Sequence, residues 1–145
     1  MFLGTFEHSI DPKNRITLPA TWRKLLPDDK IIISISVDNC IDLRTIEAYK
    51  DFTTNTLMKL DPKKESTRRI QRTIFSNSAE VQIDKSNRIL IPSSLINLAK
   101  INKSVVMVGV LDKIEIWSQE EYNSDKRLDD VKNLNKELES LSSDE

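Results

Sequence analysis

The chain is poor in the residues that most often carry chemistry. Its 145 residues include 1 histidine, 1 cysteine and 2 glycines. His8 has no cysteine at metal-ligand spacing, so neither a zinc site nor a histidine-based triad is expected. A lone Cys40 excludes an internal disulfide and suits a reducing compartment. It falls in a turn and reads as incidental. Gly4 and Gly109 are too few for a phosphate-cradling loop. No apolar run approaches the roughly 20 residues of a membrane span. Met1-Phe2-Leu3-Gly4 lacks the basic start and long apolar region of a signal peptide. A cytoplasmic protein without a membrane partner is therefore expected.

A strong excess of positive charge is missing too. The formal net charge is −1, a poor sign of nucleic-acid binding, but its distribution matters more. Residues 118–145 hold nine acids and four bases, whereas residues 1–117 hold 18 bases and 14 acids. An acidic tail masks a mildly basic body. Apolar residues make up 38% and charged residues 31%, which fits a soluble globular protein.

What the chain does contain is a repeat. Ile10-Asp11-Pro12-Lys13-Asn14-Arg15-Ile16-Thr17-Leu18-Pro19 returns as Ile83-Asp84-Lys85-Ser86-Asn87-Arg88-Ile89-Leu90-Ile91-Pro92. The offset of 73 extends to Glu7/Glu80, Leu25/Leu98, Lys30/Lys103, Val37/Val110, Ile41/Ile114 and Tyr49/Tyr122. A copy of roughly 43 residues cannot bury enough surface alone, so the two must share one core.

Each copy reads as four short strands and one helical turn. In the first, strands are expected at Thr5–Ile10, Arg15–Leu18, Ile31–Val37 and Ile41–Leu43, with a helical turn at Ala20–Leu26 stopped by Pro27. Thr45 is a candidate cap for a helix to about Leu60, and a basic helix is expected over Lys63–Phe75. In the second copy the strands are Val81–Ile83, Ile89–Ile91, Val105–Val110 and Ile114–Trp117, with a turn at Ser94–Lys100 and Ser118 capping a last helix. Leu128, Val131, Leu134, Leu138 and Leu141 form a helical stripe that needs a surface to pack on. That surface is either the protein's own body or a neighbouring subunit.

The repeated loops are the candidate site. Each joins an entering to a leaving apolar run, as in a hairpin. Asp11 and Asp84 can accept backbone N–H bonds and order the turn. Asn14 and Asn87 stand where a tight turn needs positive φ. Arg15 and Arg88, with Lys13 and Lys85, offer donors suited to phosphate and guanine edges, and a two-stranded ribbon fits the major groove. The plainer reading is an internal pair, Asp11 with Arg15 and Asp84 with Arg88. Both can hold, if Asp orders the loop and leaves Arg donors free. An aspartic dyad is disfavoured: it needs touching carboxylates and small residues after each Asp, and Pro12-Lys13 and Lys85-Ser86 follow instead. Phe2, Trp22 and Trp117 read as packing residues rather than base-stacking platforms.

These stretches carry a family resemblance. Met1-Phe2-Leu3-Gly4, both Asp-to-Pro loops, and Val108-Gly109-Val110-Leu111-Asp112-Lys113-Ile114-Glu115-Ile116-Trp117-Ser118 resemble MraZ proteins over residues 1 to about 123. The resemblance implies an α+β fold: two tandem AbrB-like β-hairpin modules sharing a pseudo-twofold β-barrel core, with flanking helices. The expected division is a first module over 1–52, a helical linker over 53–78, a second module over 79–123 and an acidic helical tail over 124–145. It further implies a nucleoid-associated, non-enzymatic transcriptional regulator of division and cell-wall genes. Such a protein binds direct repeats in double-stranded promoter DNA as a ring-shaped homo-oligomer, without cofactor or small-molecule substrate. Arg15 and Arg88 carry over as the DNA-contacting arginines. Where the family usually has Gly before the loop arginine, this chain has Asn14 and Asn87. The alternative is an oligomeric protein-interaction scaffold that does not bind DNA.

Overall fold

The computed structural model describes residues 1–124 and 127–143; the side chains of residues 127–129 and 143 lie outside that description. Leu128 of the sequence's apolar stripe is among them. The first copy gives β1 (Thr5–Ser9), β2 (Arg15–Thr17), α1 (Ala20–Arg23), β3 (Lys30–Ile35) and β4 (Ile41–Thr45). Two helices follow, α2 (Ile46–Asn55) and α3 (Glu65–Ser76). The second copy gives β5 (Ser78–Gln82), β6 (Arg88–Leu90), α4 (Ser93–Leu98), β7 (Ser104–Val110) and β8 (Lys113–Ser118). The chain then continues through α5 (Gln119–Ser124) and α6 (Arg127–Ser143). The architecture is α+β and its strands pair antiparallel.

The hairpin expectation at the polar loops does not survive. β1 and β2 do not share a ladder. β1 pairs with β7 of the second copy, β5 pairs with β3 of the first, and β2 pairs with β6. One six-stranded sheet runs β1-β7-β8-β4-β3-β5, beside a two-stranded ribbon of β2 and β6. The hairpins within each copy are instead β3–β4 and β7–β8. The physical reason lies in where apolar surface can be covered. Neither copy is large enough to bury its apolar faces alone, so beyond the closed loops the entering strands pair with the other copy and the two interlock around one core.

That core holds residues from both repeats, including Ile16, Trp22, Ile31, Ile33 and Leu43 with Ile89, Leu95, Met107 and Ile114. Trp22 is 1% exposed and meets Phe6 edge-on at 4.7 Å, with Phe2 at 6.3 Å. Trp117 is also buried, beside Val106 and Cys40, so the three aromatics read as packing residues do pack. Cys40 is fully buried, and burial chiefly pushes its thiol up to about 12.

The constant offset of 73 breaks at β3. By ladder register Ile31 takes the place of Val105 and Ile33 that of Met107, an offset one residue larger. A strand slipped by one turns its other face inward. Here the apolar parity decides, and the sequence matches Lys30/Lys103 and Val37/Val110 are not structural equivalents. The first hairpin turn, 36–40, then carries one residue more than the second and restores the offset by β4. Asp42 faces Glu115 and Ile16 faces Ile89. Equivalent residues opposite each other mark the pseudo-twofold axis.

The helix expected over 45–60 is shorter. Thr45 caps it, its Oγ1 accepting the Ala48 N–H at 3.0 Å, but the run Thr53-Thr54-Asn55-Thr56 is a poor helix former. After α2 a 3₁₀ turn at Leu57–Lys59 drops Leu57 into a buried position. The helix expected from Lys63 starts at Glu65, because Asp61 to Lys64 form a turn in which the Asp61 carboxylate accepts the Lys63 N–H at 3.0 Å.

Candidate nucleic-acid interface

The two loops are built alike. In the first, Asp11 Oδ1 accepts the backbone N–H groups of Lys13 and Arg15 at 2.9 and 2.8 Å. In the second, Asp84 Oδ1 accepts those of Ser86 and Arg88 at 2.8 and 2.9 Å. Asn14 and Asn87 stand at φ 65° and 61°, the left-handed region that Asn enters more cheaply than most side chains. The Asn14 and Asn87 N–H groups close each turn onto the Asp carbonyl, at 3.0 Å in both copies.

The internal Asp–Arg pair forms in both loops. Arg15 Nε donates to Asp11 Oδ2 at 2.8 Å, and Arg88 Nε to Asp84 Oδ2 at 3.0 Å. Among the described residues no bond engages the terminal amino groups of either guanidinium. The carboxylate therefore orients the fork by its stem and leaves four N–H donors per arginine for another ligand. The arginine backbone N–H chiefly holds each aspartate below the usual carboxylate range. An acid dyad needs the opposite, one carboxyl raised until it keeps its proton.

The ribbon sets the arginines together. Arg15 lies opposite Leu90, and Thr17 opposite Arg88. Side chains two apart, and those directly opposite, share a face. Arg15, Thr17, Arg88 and Leu90 therefore make up one face, while Ile16 and Ile89 fill the other and are fully buried. By strand spacing the arginine Cα atoms lie roughly 8–9 Å apart, about two to three steps of a DNA strand. The ribbon is clamped at its ends: Leu18 N–H donates to Asn87 O and Ile91 N–H to Asn14 O, both at 2.8 Å. Each loop is thus fastened to the opposite copy.

Lys13 and Lys85 are exposed at the tips, but at non-equivalent positions: Lys13 corresponds to Ser86, and Lys85 to Pro12. Thr17 and Leu90 were missed as face residues, although period-2 counting from each arginine points to them. Arg23 was missed as well. It pairs with Asp29 at 2.5 Å and lines, with Lys85 and Asn87, a cavity of about 460 Å³ beside the second loop.

A second polar cluster sits on the seam between the copies. Lys113 Nζ lies 3.2 Å from both Asp42 and Glu115. Arg44 reaches Asp42 at 3.5 Å and stacks over the Phe52 ring at 4.0 Å. Cys40, Asp42 and Glu115 can bring ligand atoms within 4.8 Å of one another, but the Lys113 ammonium already bridges the two carboxylates. No described helix is long and apolar enough to cross a membrane.

A two-repeat α+β chain with paired arginines on a central ribbon is the class of protein defined by this geometry. The family model described as "MraZ protein, putative antitoxin-like" matches residues 1–73 and again 74–137. "Transcriptional regulator MraZ" of Mycoplasmoides gallisepticum is 37% identical over 122 residues, covering 84% of each chain. The protein of that name from Clostridium tetani is 39% identical over 126 residues, 85% of this chain and 87% of its own. The Ureaplasma parvum protein of that name is 38% identical over 124 residues, 85% of each. The chain belongs to the MraZ family.

Proposed function

We propose that this chain is a sequence-specific DNA-binding transcriptional regulator without catalytic activity. It acts as a ring-shaped homo-oligomer on direct repeats in promoter DNA, in the cytoplasm at the nucleoid, and controls division and cell-wall genes. The observation that carries the reading is the ribbon face. Arg15 and Arg88 stand side by side there, oriented through Nε by Asp11 and Asp84, with their terminal amino groups unengaged among the described residues. Donors fixed in advance lose little freedom on binding. The relatives' name, transcriptional regulator, supports the same reading. Lys13 and Lys85 contact backbone phosphates, and Asp11, Asn14, Asp84 and Asn87 hold the loops in shape.

The fold belongs with the AbrB-like swapped hairpins, a reading supported by the exchange of β1 and β5 between copies. The modules are 1–52 and 79–123, joined by helices over 53–78 and followed by the tail from 124. One subunit makes few phosphate contacts and binds in the non-specific range, about 10⁻⁴ to 10⁻⁶ M. A ring multiplies the loops and raises affinity by roughly 10² to 10⁴ if DNA repeats match their spacing.

The test is a mobility-shift titration on DNA from upstream of the gene, with Arg15→Ala and Arg88→Ala beside wild type and assembly checked by light scattering. Each substitution is expected to cost about 1–3 kcal/mol for every base edge that the arginine no longer reads. An assembled Arg15→Ala protein that binds as tightly as wild type would sink the proposal. No shift at any salt concentration would favour the protein-scaffold reading instead.

A further inference from the structure

The outward face of the ribbon carries one side chain that the arginines do not explain. Arg15, Thr17, Arg88 and Leu90 make up that face, and Leu90 is 56% exposed. Its repeat equivalent is Thr17, exposed as well. β2 and β6 share one burial pattern, half-buried, buried, exposed. The two backbone settings are therefore alike, and neither calls for an apolar group. Leu90 is the one apolar side chain of the four, set among two arginines and a threonine.

Its position suits a base edge. Leu90 lies directly opposite Arg15 and two residues along β6 from Arg88. Those separations are about 5 and 7 Å, within roughly two steps of 3.4 Å along a DNA strand. A ribbon seated in the major groove with its arginine forks on guanine edges brings Leu90 over the neighbouring bases. The thymine C5-methyl is the apolar group presented in that groove. The other bases show donors and acceptors there, which a leucine would strip of water without replacing the bond.

The same residue gives the face a direction. Arg15 and Arg88 are equivalent across the pseudo-twofold axis, as are Thr17 and Leu90. With matching residues at 17 and 90 the face would read a site equally well in either sense. An isobutyl group on one half and a hydroxyl on the other make the halves unequal.

We propose that Leu90 is a specificity-determining residue that reads a thymine methyl beside the base contacted by Arg15. This rests on the DNA-binding reading above and adds a base that it selects. The competing role is packing, with Leu90 merely covering the aliphatic stem of Arg15. That role predicts a loss on substitution that is blind to the methyl group.

DNA from upstream of the gene is prepared in two forms, one with thymine and one with every thymine replaced by uracil, which lacks only the methyl. Full-length wild type, Leu90→Ser and Leu90→Met are titrated on both by mobility shift. Light scattering confirms assembly and circular dichroism confirms folding. Wild type is expected to bind the uracil form at least about fourfold more weakly, the effect of one methyl group returned to water. Leu90→Ser should lose a similar factor on thymine DNA and bind the two forms equally. Leu90→Met, still apolar, should keep the difference. A wild type that binds both forms equally overturns the assignment and needs no variant to do so. A Leu90→Ser protein that keeps the full difference between the forms overturns it too, and leaves Leu90 the packing role. Both results leave DNA binding standing, whereas a wild type that binds neither form overturns that reading together with this one.

Discussion

Lys113 offers the sharpest test of how the two copies are joined. Asp42 and Glu115 are equivalent positions facing each other across the β4–β8 seam, with side chains 6 and 14% exposed. A perfect repeat would put two carboxylates in contact there. The symmetry is broken by Lys113, whose counterpart in the first copy is Cys40. Lys113→Met keeps the length of the stem and removes the ammonium that bridges both acids at 3.2 Å. Breaking a buried ion pair costs about 3–5 kcal/mol. The low end applies here, because Arg44 stays 3.5 Å from Asp42. At a urea slope of about 2 kcal/mol per molar the midpoint should fall by about 1.5 M.

The pH dependence carries the sign. Burial is the main cause that raises the Asp42 carboxyl, and Lys113 is the strongest influence pulling it back. Without Lys113 the value climbs further. A carboxylate whose folded pKa lies above its unfolded one penalises the fold once ionised, and the penalty fades as pH falls through the folded pKa. The gap between Lys113→Met and wild type should therefore narrow on acidification from neutral pH. In wild type, burial pulls the Lys113 ammonium down but the two carboxylates outweigh it and raise it. Its contribution is full below the unfolded value of 10.5 and is lost as pH rises through the folded one. Converting the trio to Met, Asn and Gln together should recover most of the loss. A single variant within 1 kcal/mol of wild type, or a gap that stays constant on acidification, would refute the reasoning.

Two further outcomes are expected. Gly109→Ala should cost about 2–3 kcal/mol, read as a lower melting midpoint, because a Cβ there would lie 2.5 Å from the backbone of both Phe2 and Leu3 and would expel a buried aromatic. Loop order should fail in acid: Asp11 and Asp84 are held low chiefly by the arginine N–H bonds, so their stabilisation is present above 3.8 and is lost as pH falls through the folded values. Amide protection at Arg15 and Arg88, measured against the intrinsic exchange rate at each pH, that stays high well below that range would count against it.

Much of this was legible because the loops specify themselves locally. Asp accepts N–H bonds two and four residues ahead, and Asn takes positive φ, whatever the rest of the chain does. Strand partners were not legible in the same way. A polar turn between two apolar runs looks alike whether the runs pair with each other or with another copy, since the difference is the area covered far along the chain. The β3 slip was hidden for a related reason. Lys30/Lys103 and Val37/Val110 agree by identity, yet inward parity at Ile31 and Ile33 decides the register, and a five-residue turn absorbs the difference. The ends of α2 and α3 were misplaced because threonines and a local Asp61 turn interrupt patterns that hydrophobic spacing alone extends.

The interlocked arrangement also explains why the arginines stand on the ribbon and not on separate hairpins. The pseudo-twofold axis passes through the Ile16/Ile89 pair and the Asp42/Glu115 pair. Ile16 and Ile89 are fully buried, so the opposite ribbon face must point outward at the axis. Any residue one step from these isoleucines is then presented beside its own equivalent from the other copy. Arg15 and Arg88 occupy those steps. Had each loop closed on its own strands, the arginines would depend on the packing between two modules for their separation. Because β2 and β6 share a ladder, backbone hydrogen bonds fix that separation.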